Sequence, residues 1–203
     1  YEVVDAIRMR PTHSNMMYPG LGVGGYCLTK DPLIASWASQ EFFNSVILEM
    51  SEKAVMTNDL MPFEAFNFFR NKITSMNNNI NKIAILGVAY GPGIGDTRFS
   101  PVESFFKKLH EQGFELTCFD PYIAYWEELN IEVKSNFEII DKGSFDCAII
   151  TTKHKEFENL DLIVKMLDEG IIVYDTVGAF AKIKNLREYK NYYLLGSGIN
   201  EFS

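Results

Sequence analysis

Lys82-Ile83-Ala84-Ile85-Leu86-Gly87-Val88 is a short apolar run bounded by glycine. That is the pattern of a parallel strand buried on both faces. Downstream, Ser100-Pro101-Val102-Glu103 sets a hydroxyl at an N-cap, a proline at the first helical position and a carboxylate at the third. A helix opens there, runs to Gln112 and stops at Gly113. Residues 114–119 read as a second strand, ending at Asp120-Pro121. Residues 146–151 and 170–175 read as two more, with helical segments between, including 160–168. Strand–helix alternation at this spacing predicts an α/β fold, a doubly wound parallel sheet of Rossmann-like type. Ligands of such sheets bind beyond the carboxyl ends of the strands. Those ends are Val88-Ala89-Tyr90-Gly91, Asp120-Pro121-Tyr122, Thr151-Thr152-Lys153-His154 and Asp175-Thr176-Val177-Gly178.

Upstream the pattern is helical. Residues 33–37, 46–56 and 63–73 repeat apolar side chains at three- and four-residue spacing. Pro62 suits the first turn of the last of these helices. Met and Phe are abundant here, and the exposed apolar faces are expected to meet another subunit or domain. Asn77-Asn78-Asn79 disfavours helix and strand alike and reads as a linker. The predicted division is a helical region over 1–76, a linker over 77–81 and an α/β domain over 82–203. Tyr1-Glu2-Val3-Val4-Asp5-Ala6-Ile7 has helical spacing with no N-cap before it, so the chain reads as starting inside an element of a longer protein.

The 203 residues carry a net charge of −8. Such a surface repels phosphate backbones, so no nucleic-acid partner is expected. A local cluster of cations and N–H groups can still bind a nucleotide. Cys27, Cys118 and Cys147 show no CxxC spacing, which argues against a metal site and for a reduced, cytoplasmic protein. No apolar run reaches membrane-spanning length, so no membrane partner is expected.

The chemistry concentrates in Tyr18-Pro19-Gly20-Leu21-Gly22-Val23-Gly24-Gly25-Tyr26-Cys27-Leu28-Thr29-Lys30-Asp31-Pro32. Glycines let backbone N–H groups approach a ligand and permit positive φ. Cys27 follows them at once, at the start of a helix. Lys30 and the helix N–H dipoles favour its thiolate there, making it a candidate nucleophile. A tight turn with a small buried cysteine is the alternative. Asp31 is either a water-aligning carboxylate or the N-cap of the next helix, and the two roles are compatible.

This loop resembles the active-site loop of the UDP-glucose, GDP-mannose and UDP-N-acetylhexosamine dehydrogenases. Two further segments resemble the same family: residues 82–90 with Gly95-Asp96-Thr97-Arg98 and Ser100-Pro101, and residues 113–122 with their strand-ending Asp120-Pro121-Tyr122. The resemblance implies a homodimeric enzyme. It oxidises the C6 alcohol of a nucleotide sugar, a UDP-hexose or UDP-N-acetylhexosamine, to a uronate with two NAD. It implies Cys27 as nucleophile and Asp31 beside it. Tyr26 and Lys30 are implied at NAD, Arg98 at NAD across the subunit interface, and Tyr18, Gly20, Gly24, Tyr90 and Gly91 at the sugar nucleotide. For Arg98, an ion pair with Asp96 or Glu103 is the plainer reading.

The chain also departs from the family. Tyr90-Gly91 stands where Phe-Lys is usual, Phe99 where Glu is usual, and Asp175-Thr176-Val177-Gly178 lacks the usual Arg. Two cationic substrate contacts are therefore missing; Lys153, His154 or Lys155 is a candidate replacement. The Gly-x-Gly-x-x-Gly fingerprint is absent too, since the spacing from Gly87 to Gly95 is wrong for it. These departures keep a second reading open, a non-catalytic nucleotide-binding or dimerisation module of the same fold.

Overall fold

The structure, a computed structural model, describes residues 1–44, 48–76 and 80–197. Three helices come first: α1 (Glu2–Arg8), α2 (Tyr26–Phe43) and α3 (Glu49–Met76). The α/β part follows as β1 (Lys82–Leu86), α4 (Pro101–Glu111), β2 (Glu115–Phe119), β3 (Tyr125–Trp126), β4 (Ile131–Glu132), β5 (Cys147–Ile150), α5 (Leu160–Asp168), β6 (Ile172–Asp175) and β7 (Tyr192–Leu194). Five strands form one sheet in the order β2-β1-β5-β6-β7, and every pair is parallel. β3 and β4 make a separate antiparallel hairpin. The chain leaves β1 toward β2 and later returns to β1's other side as β5. The β1/β5 boundary is therefore the switch point where doubly wound sheets bind ligands.

β1 is apolar throughout because both of its faces are covered. Ile83 and Ile85 join a core with Phe66 and Phe69 of α3, Phe105 and Leu109 of α4, and Trp126. Ala84 and Leu86 point the other way, toward Ile163, Met166 and Leu167 of α5 and Phe180. Each fully buried side chain of this size contributes about 1.5–3 kcal/mol. Tyr174 stacks on Phe69 at 5.7 Å with the planes 7° apart, and its buried hydroxyl donates to the Ala65 carbonyl at 3.1 Å. The α4 N-terminus forms as its sequence predicts. The Ser100 hydroxyl caps it, accepting from Val102 N–H at 3.3 Å, with Pro101 at the first position.

Two proline expectations are overturned. Pro62 does not open a helix; it lies inside α3, which runs unbroken for 28 residues. A mid-helix proline costs roughly 3 kcal/mol and frees the carbonyl four residues earlier, here that of Asn58. Burial of Ala65, Phe66 and Phe69 beyond it outweighs that cost. Likewise Asp31-Pro32 does not precede a helix. α2 begins at Tyr26 with Gly25 as its cap residue, φ +82°, and Pro32 lies inside. Asp31 is therefore no N-cap. Of the remaining expectations, Val46 and Asn77-Asn78-Asn79 lie outside the described residues. The apolar faces of α2 and α3 are open: Leu28, Trp37, Phe43 and Met50 are all exposed.

Candidate functional site

The carboxyl ends of β1 and β5 are pinned tightly. Gly87 adopts φ +100°, and a Cβ there would lie 2.4 Å from the Thr152 side chain, so only glycine fits. The Thr151 hydroxyl donates to the Gly87 carbonyl at 2.6 Å, and that of Thr152 to the Ala89 carbonyl at 2.8 Å. Asp120, fully buried at the end of β2, accepts from Val88 N–H at 2.9 Å, Ala89 N–H at 3.3 Å and Tyr122 N–H at 2.9 Å.

His154 completes this support. Its Nδ1 accepts from Gly93 N–H at 3.0 Å, so its Nε2 carries the hydrogen that meets Asp120 Oδ2 at 3.1 Å. That arrangement needs a neutral ring. It corrects the expectation that His154 supplies a cation; the side chain is buried and holds up the loop from Val88 to Gly93. Burial pushes the Asp120 carboxyl up, but the His154 and backbone donors outweigh it and hold it below its ordinary value.

Above this floor lies a cavity of about 220 Å³. It gathers four of the five expected sugar-nucleotide residues, Tyr18, Gly20, Tyr90 and Gly91, with Lys153 and Val177. Gly24, the fifth, packs beneath Tyr90. A Cβ on Gly24 would lie 2.7 Å from the Phe99 carbonyl oxygen and 2.7 Å from Tyr90 Cβ. Gly25 lies against the Tyr90 ring. The glycines thus seat the Cys27 loop directly on the end of β1. On its other side the loop is held by Asn58 of α3, whose side chain accepts from Val23 N–H at 2.7 Å and donates to the Val23 carbonyl at 2.9 Å.

Cys27 is the second residue of α2 and is exposed. The other two thiols are buried, and burial pushes Cys118 up to about 12. Cys27 is therefore the accessible thiol, which excludes the buried-cysteine alternative. Asp31 lies four residues on, on the same helix face. Lys30 is not free to act on Cys27 alone: its Nζ pairs with Asp31 at 2.8 Å and sits 4.5 Å over the Tyr26 ring. Tyr26 and Lys30 line a second, wider groove together with Phe99, whose ring lies 5.3 Å from that of Tyr26. Arg98 stands apart. It is clasped by Asp96, with Nη2 to Oδ2 at 2.7 Å and Nε to Oδ1 at 3.0 Å, which is the plainer of its two readings. Glu103 pairs with Lys107 instead.

The charged cavity residue that the sequence did not anticipate is Arg8. Arg8, the last residue of α1, lines the pocket with its guanidinium 4.9 Å over the Tyr18 ring. A lone arginine in a seven-residue helix carries no pattern that marks it in the sequence. Among the described residues there is no group of His, Cys, Asp and Glu able to hold a metal, and no helix is long and apolar enough to cross a membrane.

Two family models match, the central domain of the UDP-glucose/GDP-mannose dehydrogenase family over residues 1–60 and its UDP binding domain over residues 84–182. The chain belongs to this family. The UDP-N-acetyl-D-mannosamine dehydrogenase of Methanocaldococcus jannaschii is 31% identical over 98% of this chain and 44% of its own length. The UDP-glucose 6-dehydrogenase of Rickettsia bellii is 31% identical over 70% of this chain and 33% of its own. Among solved structures, the UDP-D-ManNAc dehydrogenase of Pyrococcus horikoshii is 27% identical, with a TM-score of 0.68 over 88% of this chain and 41% of that one. The NDP-N-acetyl-D-galactosaminuronic acid dehydrogenase of Methanosarcina mazei superposes at TM-score 0.78, covering 95% of this chain and 42% of that one. At 20% identity that likeness speaks for the fold alone. The chain spans less than half the length of each of these family members.

Proposed function

We propose that this chain is the carboxyl-terminal part of a cytoplasmic, NAD-dependent nucleotide-sugar 6-dehydrogenase that acts as a homodimer. Residues 1–76 supply the dimerisation side and the nucleophile loop, 77–81 the connection, and 82–203 the nucleotide-sugar domain. The observation that carries the reading is the seating of the Cys27 loop on the strand end that floors the 220 Å³ cavity, through Gly24 and Gly25 against Tyr90.

In this reading the nucleotide lies in the cavity between Tyr18 and Tyr90, and the sugar reaches along the glycine loop toward Cys27. The thiol adds to the C6 aldehyde. This gives the carbon the tetrahedral oxygen that it needs before a second hydride can leave. Asp31, one turn further along α2, aligns the water that releases the uronate from the resulting thioester. Two NAD, bound in turn, would each accept one hydride. The residues present fit one edge of that cofactor, the exposed Tyr26 ring with Lys30, while the glycines between β1 and α4, at 87, 91, 93 and 95, do not have the Gly-x-Gly-x-x-Gly spacing. Arg98, in this reading, reaches NAD across the subunit interface with the donors that its pairing with Asp96 leaves over.

The test is turnover by the protein expressed from its complete gene, with NAD and UDP-glucose or UDP-N-acetylmannosamine. A uronate product supports the reading. The absence of cationic side chains at Gly91 and Val177 favours the second reading, a non-catalytic nucleotide-binding module. That reading prevails if UDP binds and no sugar turns over.

A further inference from the structure

The cavity at the β1/β5 switch point has a charge pattern opposite to that of the whole chain. The chain carries −8, with 27 acidic and 19 basic residues. Among the described residues no acidic one lines the cavity, and the two charged ones that do, Arg8 and Lys153, are both cations. They come from opposite parts of the chain, Arg8 from the end of α1 and Lys153 from the loop after β5.

Both are held without being consumed. Arg8 donates one N–H to the Met16 carbonyl at 2.6 Å and lies over the Tyr18 ring, which fixes the guanidinium and leaves further donors on its fork. Lys153 Nζ rests 3.3 Å from the Gly178 carbonyl and 3.7 Å from Glu158, beyond ordinary hydrogen-bond length for the ion pair. Three of the four lining hydroxyls are already committed. Tyr18 donates to Asp5, Thr151 to the Leu86 and Gly87 carbonyls, and Thr152 to the Ala89 carbonyl. The charged donors that an anion meets in this cavity are therefore Arg8 and Lys153.

We propose that Arg8 and Lys153 are the anion anchors of the pocket, clamping the diphosphate of the nucleotide sugar between α1 and the end of β5. The proposal rests on the nucleotide-sugar reading above and deepens it. The fork of an arginine suits two phosphate oxygens at once, and a lysine adds a point charge from the other side. A ligand gripped by both also ties α1 to the sheet, so binding raises thermal stability.

Calorimetric titration of the chain with UDP and with uridine tests this. Arg8→Gln and Lys153→Gln are each expected to weaken UDP roughly 10- to 100-fold, the worth of a hydrogen bond to a charged group. Uridine affinity, which needs no cation, is expected to stay within about twofold. Lys153→Arg keeps the charge and is expected to retain most of the UDP affinity; Arg8→Lys keeps the charge without the fork and is expected to lose less than Arg8→Gln. They carry the test if a glutamine variant loses uridine as well, the sign of a misfolded pocket. Lys165→Gln, on the far surface of α5, is the control and is expected to change nothing. Unchanged UDP affinity in both glutamine variants overturns the inference and leaves the nucleotide pocket standing. So does equal loss in the charge-keeping and charge-removing variants. Failure of the unaltered chain to bind UDP at all overturns the pocket reading and the inference together.

Discussion

Gly24 has no room for a side chain. The Phe99 carbonyl, Tyr90 and Pro101 all lie within 2.8 Å of where a Cβ would sit. Gly24→Ala must push the Cys27 loop off the end of β1, at a cost of about 1–3 kcal/mol by the usual measure of overpacking. Urea denaturation is expected to show that loss, together with weaker UDP binding. Asp120 governs the same floor from below. Its folded-state pKa is depressed, so it contributes stability that is complete above the unfolded value of about 3.9 and disappears as the pH falls through the folded value. Asp120→Asn is expected to flatten the fall of stability with acid below about pH 4 in chemical denaturation at stepped pH. Asp175 slopes the other way. Burial outweighs its donors and raises its pKa, so its contribution is greatest at low pH and is lost as the pH rises through the folded value. At this scale the glycines and Cys27 were readable, because residue type alone restricts what they can do. Arg8 and the Asp120–His154 pair were not, because their roles come from contacts between residues distant in sequence.

Among the elements, α3 does two jobs that its sequence does not announce. Its amino-terminal half presents Asn58 to the nucleophile loop, and its carboxyl-terminal half packs Phe66 and Phe69 on the sheet. The proline between them breaks no helix, since core burial on both sides of it is worth more than one lost bond. Asn58→Ala removes both hydrogen bonds to Val23. It is expected to cost about 1–3 kcal/mol and to speed exchange of the Val23 amide in native-state hydrogen exchange. Unchanged exchange at Val23 would contradict a bracing role. α4 was legible to within a residue, ending at Glu111 rather than Gln112, because Ser100, Pro101 and Gly113 punctuate it with chemistry that acts locally. The β3/β4 hairpin and β7 were not: strands of two or three residues offer too few alternations to register as a pattern. β7 gains its place only by pairing with β6 at Val173↔Tyr192.

For the molecule as a whole, the open surface of α2 and α3 is the main unsolved feature of a lone chain. Trp37 and Leu28 are more than half exposed and stand on neighbouring turns with Leu33 and Ile34. Apolar surface of that kind marks an interface. Trp37→Glu is expected to turn a dimer into a monomer in sedimentation velocity, whereas an unchanged sedimentation coefficient would place the interface elsewhere. Strand–helix alternation conveyed the parallel sheet and the strand ends where ligands bind, and the glycine–cysteine loop conveyed the chemistry. How the loop meets the switch point became visible only with the packing of Gly24 and Gly25 on Tyr90. On that contact rests the role assigned to Cys27, and the number of NADH released per sugar tests it most directly. In the protein made from the complete gene, two NADH per nucleotide sugar are expected, falling to no more than one in Cys27→Ala. Two NADH retained in Cys27→Ala would contradict Cys27 as the nucleophile.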